Sequence, residues 1–198
     1  VGTMQSLKLN GRQRLMYSSG VSPMGWGLPA AIGAAKAGGG RRVICICGDG
    51  GIMMNLQELA TIAHHNLPIS IFVLCNDGYL TMRQTQNAHF GRESGASKKS
   101  GIRCPQFLEI AYAMGMTGLL AAPLSEVSGV IESVLDVRGP VLCEVHMPRD
   151  QILAPRLQTK LNDKGEFILP AFDDMWPHLP PDELARARGA TSMLEAAE

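Results

Sequence analysis

Runs of apolar residues alternate with glycine-rich, proline-rich and polar segments along the chain. Predominantly apolar runs at 43–47, 69–75 and 141–145 are typical of strands buried on both faces of a parallel sheet. The first two runs, with a helix-like stretch between them, span about thirty residues, the usual length of a β-α-β unit. The pattern therefore predicts an α/β fold of three layers, a doubly wound, mostly parallel sheet with helices on both faces.

The other elements follow from the same kind of pattern. A helix at 28–37 should end at the three glycines 38–40, since glycine commonly ends helices. We also predict a short strand at 14–18, a loop at 19–27, helices at 105–114 and 125–137, and a strand at 117–120. The polar, glycine-bearing segment 78–103 is either a mobile active-site loop or a short helix followed by a loop.

The helix inside the β-α-β unit is expected to begin at Asn55. Glu58 follows three residues later, which is the spacing of a capping box. Apolar residues then recur at helical spacing and predict the buried stripe of this helix. The stripe consists of Leu56, Leu59, Ala60 and Ala63.

The apolar pattern fails after residue 148 and divides the chain. We predict one domain at 1–150 and an extended C-terminal arm at 151–198 that packs on a partner domain. The arm holds five of the twelve prolines of the chain, and Pro180-Pro181 divides it. Its end, 184–198, is either disordered or helical.

Composition excludes several classes of protein. The formal net charge is zero, and basic residues do not cluster with aromatic ones, so we expect no nucleic-acid partner. No apolar stretch reaches membrane-spanning length and no signal peptide is recognised, so we expect no membrane association. The five cysteines form no C-x-x-C pair, and four of them lie in predicted strands. We expect reduced core cysteines in a cytoplasmic protein, and neither disulfides nor a zinc site.

Two strand ends carry the candidate chemistry. Gly48-Asp49-Gly50 directly follows one apolar run, and Asn76 directly follows the next. Neighbouring parallel strands place their carboxyl ends side by side, where α/β sheets bind ligands. An aspartate beside a phosphate is repulsive unless a divalent cation lies between them, and Mg²⁺ prefers such oxygen ligands. The backbone N–H groups of Gly50 and Gly51 could then face phosphate oxygens.

This glycine turn has two other interpretations, a plain turn and a nicotinamide dinucleotide site. Gly48-Asp49-Gly50 alone is more often a plain turn. A nicotinamide dinucleotide site would need G-x-G-x-x-G, but Met53 stands where the third glycine would be. The pairing of the turn with Asn76 therefore favours a metal-diphosphate site.

The motif Gly48-Asp49-Gly50, then 25 residues, then Asn76 resembles the magnesium-diphosphate motif of thiamine diphosphate enzymes. A second block, SPMGWGLPAAIGA at 22–34, is similar to a segment of their acetolactate-synthase-like family. The resemblance covers about residues 15–150 and implies the diphosphate-binding domain, with the thiamine diphosphate-binding fold. Asp77 stands where the family usually has a second asparagine.

The resemblance implies a role for each matching residue. Asp49, the Asn76 side chain and the Gly78 carbonyl would bind Mg²⁺. The backbone of Gly50, Gly51 and Tyr79 would hold the diphosphate of thiamine diphosphate.

For the rest of the cofactor, the resemblance implies two residues in the second block. Met24 would be the catalytic residue, because it would lie under the bridge between the two rings and force a V shape. The Ser22 carbonyl would accept a hydrogen bond from the cofactor's amino group. The alternative for Met24 is ordinary packing into the core.

The resemblance also implies partners. It implies a 2-oxo acid substrate, and a pyrimidine-binding domain supplied upstream or by a second chain, in a homodimer or tetramer. The chain alone would be inactive, since the activating glutamate lies on that other domain. The sequence after Asn76 lacks features of true acetolactate synthases, so both decarboxylase and carboligase activities stay open. The alternative is a non-catalytic or regulatory paralogue that keeps the fold.

Two further groups of polar residues have no assigned role. Arg83, Gln84 and Gln86 follow the metal motif and either face substrate or form a solvated helix face. His64-His65 are interpreted as the end of a helix, where cations offset the dipole; a ligand or catalytic role is the alternative.

Overall fold

The computed structural model of the chain describes residues 2–18, 20–162 and 164–195. These residues form two compact units, one at 7–151 and one that joins 2–6 to the described part of 152–195. The larger unit contains the sheet and every residue of the predicted site.

The larger unit is built on a four-stranded sheet in the order β1-β2-β4-β3, with every neighbouring pair parallel. This confirms the predicted α/β fold. The strands are β1 Val43–Gly48, β2 Ile69–Cys75, β3 Thr117–Ala121 and β4 Val141–His146. All four lie within one or two residues of the predicted positions.

Six helices of the larger unit connect and cover these strands. They are α2 Gly27–Ala37, α3 Asp49–Ile52, α4 Glu58–His64, α5 Leu80–Phe90, α6 Phe107–Ala113 and α7 Val127–Asp136. Short 3₁₀ turns lie at Met53–Asn55, Lys98–Ser100 and Leu124–Glu126. Of the two alternatives for 78–103, the structure has the helix followed by a loop, and the helix is 11 residues long.

Helices cover both faces of the sheet, as predicted. One face packs against α2, α4 and α6 through buried residues such as Leu28, Leu59 and Phe107. The other face packs against α7 through Val134 and Phe72. The three layers bring the carboxyl ends of β1 and β2 together at one edge of the core.

Arg42, just before β1, holds the carboxyl end of α7. Its guanidinium donates hydrogen bonds to the carbonyls of Leu135 and Val137. Carbonyls at a helix end lack partners within the helix. Arg42 therefore caps α7 on the face of the sheet opposite α2.

Two local predictions are wrong. Residues 14–18 form no strand. Asn55 does not begin a helix: it lies in a 3₁₀ turn, and its side-chain nitrogen donates to the Gly25 carbonyl, 3.0 Å away. The helical turn starts instead at Asp49, directly after β1, and Gln57 precedes α4 without a side-chain cap. Tertiary contact with the Gly25 loop overrides the capping pattern.

The stripe predicted for α4 is partly right. Leu59 is buried, and Leu56 and Ala63 pack partly buried against the core. Ala60 is exposed, and Ile62 is fully buried instead. Three of the four predicted positions therefore face the core, and Ile62 takes the place of Ala60.

The smaller unit contains α1 Gly2–Ser6, a hairpin of β5 Lys160–Leu161 and β6 Phe167–Ile168, and α8 Pro181–Glu195. Arg156 stacks on the Trp176 ring, with 5.0 Å from guanidinium carbon to ring centroid. Of the alternatives for 184–198, the helix is present to residue 195; residues 196–198 and Ser19 of the predicted loop lie outside the described residues. None of the described helices is both long and apolar enough to span a membrane.

Candidate functional site

Asp49 lies at the junction of β1 and α3 and is buried, with 2% of its surface exposed. Its carboxylate accepts hydrogen bonds from the N–H groups of Gly50 at 2.8 Å, Asn76 at 3.1 Å and Gly78 at 2.8 Å. The two strand ends predicted to meet are therefore joined by one side chain. These three bonds hold the Asp49 carboxylate inside the core although it lies at a strand end.

Opposing effects act on the pKa of Asp49. Burial raises the pKa of Asp49, while the N–H donors of Gly78, Gly50 and Asn76 and the positive charge of Arg83 oppose that rise. A cation bound to the carboxylate would offset the loss of hydration that burial imposes.

Asn76 supplies a second oxygen at the same place. Its side-chain Oδ1 is buried and has no hydrogen-bond partner among the described residues. Such an atom is rare in folded proteins and often marks an ion or water site. A buried carboxylate beside a buried, unpartnered amide oxygen is the donor set that a hard divalent cation prefers. The residues present therefore fit Mg²⁺.

The thiols at this edge do not compete as ligands. Burial raises the pKa of Cys104 to about 11 and also raises that of Cys75. A hard cation such as Mg²⁺ also prefers oxygen ligands to sulfur. Across the described ranges, no three His, Cys, Asp or Glu side chains are placed to hold a metal ion. A cation site here would therefore use amide and backbone oxygens besides Asp49.

Glycine is required at one place after each of the two strands, Gly50 after β1 and Gly78 after β2. Gly78 has φ +103°, and a Cβ there would lie 2.7 Å from the Ala96 carbonyl oxygen. A Cβ at Gly50 would lie 2.5 Å from the Tyr79 ring. The Tyr79 N–H donates to the Ala96 carbonyl at 2.9 Å. At Gly51 a Cβ would meet no atom within 4 Å, so space is open there.

The block with Met24 lies against the turn that follows Asp49. A Cβ at Gly25 would lie 2.7 Å from Met54 Cβ, and Asn55 holds the Gly25 carbonyl. Met24 is 52% exposed, so the alternative of ordinary core packing is wrong for the described chain. Ser22 is exposed, has φ +47°, and its Oγ donates to the Ser18 carbonyl at 3.1 Å.

Arg83 fits neither alternative predicted from the sequence, a substrate contact or a solvated helix face, because it is buried. It is 1% exposed, and its guanidinium donates to the carbonyls of Asn76 at 2.7 Å and Asp77 at 2.8 Å. Nothing in the local pattern identifies it, because its acceptors are backbone oxygens. The amides of Gln84 and Gln86 bond to the backbone of Gln151 and Ser94.

Arg149, after β4, binds the acidic residues around the turn. Its guanidinium contacts both Glu93 carboxylate oxygens at 3.0 and 2.8 Å, Asp77 Oδ2 at 3.2 Å and Asp150 Oδ1 at 2.7 Å. The Lys98 N–H donates to the other Asp77 oxygen at 3.3 Å. Asp77, the departure from the usual asparagine, is thus engaged by a cation and a backbone donor.

Glu93 makes the site sensitive to acid. The Ser97 hydroxyl and the Arg149 guanidinium lower the pKa of Glu93 to about 2, from an ordinary value of 4.5. Ionised Glu93 therefore adds stability that is complete above pH 4.5 and lost as the pH falls through 2. Glu93→Gln should destabilise the chain at pH 7, and the difference in unfolding free energy from the parent should shrink between pH 5 and 2. Urea unfolding across this range checks it; a constant difference contradicts it.

His64 and His65 lie at the carboxyl end of α4, as predicted. His64 is the last residue of the helix and His65 follows it as the cap. Both are exposed, and their rings contact each other edge to face.

Comparison with known proteins agrees with this geometry. Residues 1–145 match the family described as "Thiamine pyrophosphate enzyme, C-terminal TPP binding domain". The chain is 38% identical over 129 residues to the acetolactate synthase large subunit of Cyanidium caldarium, covering 65% of this chain and 22% of that protein. It is 32% identical over 169 residues to acetolactate synthase isozyme 2 large subunit of Escherichia coli K12, covering 85% of this chain and 26% of that protein.

The matched region spans only about a quarter of those relatives. It includes both the Met24 block and the Asp49–Asn76 pair. The family match over residues 1–145 confirms the resemblance seen in the two motifs. The chain therefore belongs to the family of C-terminal, thiamine pyrophosphate-binding domains of thiamine pyrophosphate enzymes.

Proposed function

We propose that this chain is the Mg²⁺- and diphosphate-binding part of a thiamine diphosphate-dependent decarboxylase or carboligase that acts on a 2-oxo acid. The observation that supports it most is the buried Asp49 carboxylate, hydrogen-bonded to the strand end at Asn76, whose Oδ1 has no partner in the described part of the chain. Asp49, Asn76 Oδ1 and the Gly78 carbonyl would hold Mg²⁺. Such an oxygen set usually completes its shell with phosphate.

The diphosphate would lie nearest Gly51. The Gly50 N–H already donates to Asp49 and the Tyr79 N–H to Ala96, whereas the space beside Gly51 is open. Gly50 would contribute by its lack of a side chain, which lets the Tyr79 ring pack against the turn.

Thiamine diphosphate, when bound, supplies a thiazolium that stabilises a carbanion, and the protein contributes binding and orientation. Met24 would contact the bridge between the two rings and hold the cofactor bent. Half of its surface is accessible for such a contact. The Ser22 carbonyl would accept a hydrogen bond from the aminopyrimidine.

The activity would also need a pyrimidine-binding domain, upstream or on a second chain, in a homodimer or tetramer. Support comes from the relatives, which are acetolactate synthase large subunits about four times as long as the matched region. The substrate class is proposed from the same relatives.

Mg²⁺-dependent stabilisation by thiamine diphosphate tests the proposal. With ligand at 100 times its dissociation constant, the folded state gains about 2.7 kcal/mol, so Tm should rise by about 5–10 °C. Thiamine without the diphosphate, and Mg²⁺ alone, are the controls and should raise Tm far less. Equal stabilisation with and without Mg²⁺, or none, would contradict the proposal.

A further inference from the structure

Arg83 is a buried cation whose hydrogen bonds, within the described residues, all go to backbone carbonyls. Within the described residues its hydrogen-bond acceptors are the backbone carbonyls of Asn76, Asp77, Ala96 and Arg149, and its Nε has none. A buried charge to which no carboxylate is hydrogen-bonded is costly to desolvate, and apolar residues of similar size often stabilise a core better. Stability alone therefore does not account for an arginine here.

The bonds of Arg83 fix the peptide units of the turn at 76–78, the metal loop. The Asp77 carbonyl accepts from Arg83 at 2.8 Å, and the N–H of the same peptide unit, on Gly78, donates to Asp49 at 2.8 Å. That peptide is thus held at both ends between a buried cation and a buried anion. The neighbouring Asn76 carbonyl is held by the same guanidinium at 2.7 Å.

These hydrogen bonds of Arg83, the clamp, act on residues with an unfavourable backbone conformation. Asp77 has φ +68° and Gly78 φ +103°, both in the left-handed region. Non-glycine residues persist there only when their surroundings enforce it. A planar guanidinium that reaches two consecutive carbonyls enforces their relative orientation.

Arg149 ties the same loop to two other segments. Its carbonyl accepts from Arg83 at 2.5 Å, and its side chain binds Asp77 and Glu93. The carboxylate of Asp77 is thereby held by the Arg149 side chain, while Asn76 Oδ1 has no hydrogen-bond partner among the described residues.

We infer that Arg83 is a positioning residue for the metal loop, which holds Asn76 Oδ1 and the Gly78 carbonyl in place for a divalent cation. The inference rests on the proposed function. Residues that orient metal ligands without touching the metal change metal affinity by about 10- to 100-fold when they are replaced.

The experiment compares two arginines that both bind backbone carbonyls. Arg83→Met removes the clamp at the metal loop, and Arg42→Met removes the matched contacts to Leu135 and Val137 at the end of α7. Mg²⁺ affinity is measured by calorimetry of the 198-residue chain in saturating thiamine diphosphate, at a temperature where circular dichroism shows each variant folded. Arg83→Met should weaken Mg²⁺ binding by about 10- to 100-fold, and Arg42→Met by less than about 2-fold.

Arg83→Lys separates position from charge. Lysine keeps the charge near Asp49 but cannot span the separated carbonyls. Arg83→Lys should therefore lose nearly as much Mg²⁺ affinity as Arg83→Met. Full recovery of affinity by lysine, or equal loss in Arg83→Met and Arg42→Met, would overturn the inference while leaving the proposed function intact. A parent chain that binds thiamine diphosphate without Mg²⁺ dependence would overturn both.

Discussion

Replacing Asp49 with alanine is expected to abolish Mg²⁺-dependent binding of thiamine diphosphate and to destabilise the fold as well. The carboxylate is the proposed metal ligand, and it also accepts three backbone N–H groups in a buried place. In the variant these N–H groups stay buried but have no acceptor, so the cost of removing them from water is no longer offset. The free energy of unfolding should therefore fall by about 2–5 kcal/mol. Calorimetry with Mg²⁺ and urea unfolding measure the two effects.

Two variants make this result specific. Asp49→Asn keeps the size but replaces one acceptor oxygen with an NH₂ group, so both losses should be intermediate. Asp136→Ala removes an exposed carboxylate at the end of α7 and should change neither quantity. If folded Asp49→Ala binds thiamine diphosphate with unchanged Mg²⁺ dependence, Asp49 is not a metal ligand.

The parts of this fold that sequence predicts well are those that depend on composition along one segment. The runs at 43–47, 69–75 and 141–145 are mostly apolar, as is typical of strands in a parallel sheet. Once the strands are parallel, their carboxyl ends must meet, and Asp49 and Asn76 come together by topology alone.

What sequence did not predict depends on bonds between distant segments. Asn55 has the spacing of a capping box, yet its side chain bonds to Gly25, thirty residues earlier. Arg83 has the pattern of a surface helix residue, yet it is buried because backbone carbonyls converge on it. Backbone acceptors have no signature in the sequence, so a buried cation that uses them is visible only in the structure.

A methyl group added at Gly78 should be among the most damaging small changes in the chain. The φ of Gly78, +103°, disfavours any side chain, and a Cβ would lie 2.7 Å from the Ala96 carbonyl oxygen and 3.1 Å from Ile102 Cδ1. The obstruction is backbone and cannot rotate away. Gly78→Ala should therefore cost about 3 kcal/mol or more, lowering Tm by roughly 6–12 °C.

Gly51→Ala is the matched control, because the two glycines flank the same site. A Cβ at Gly51 meets nothing within 4 Å, and the residue lies in a helical turn. Alanine there should leave stability unchanged or raise it by up to about 1 kcal/mol. Gly78→Ala should also weaken Mg²⁺ binding, since the proposed ligand carbonyl is its own. Equal Tm values for the two variants would show that the turn accommodates a side chain at Gly78. That result would contradict a rigid metal loop.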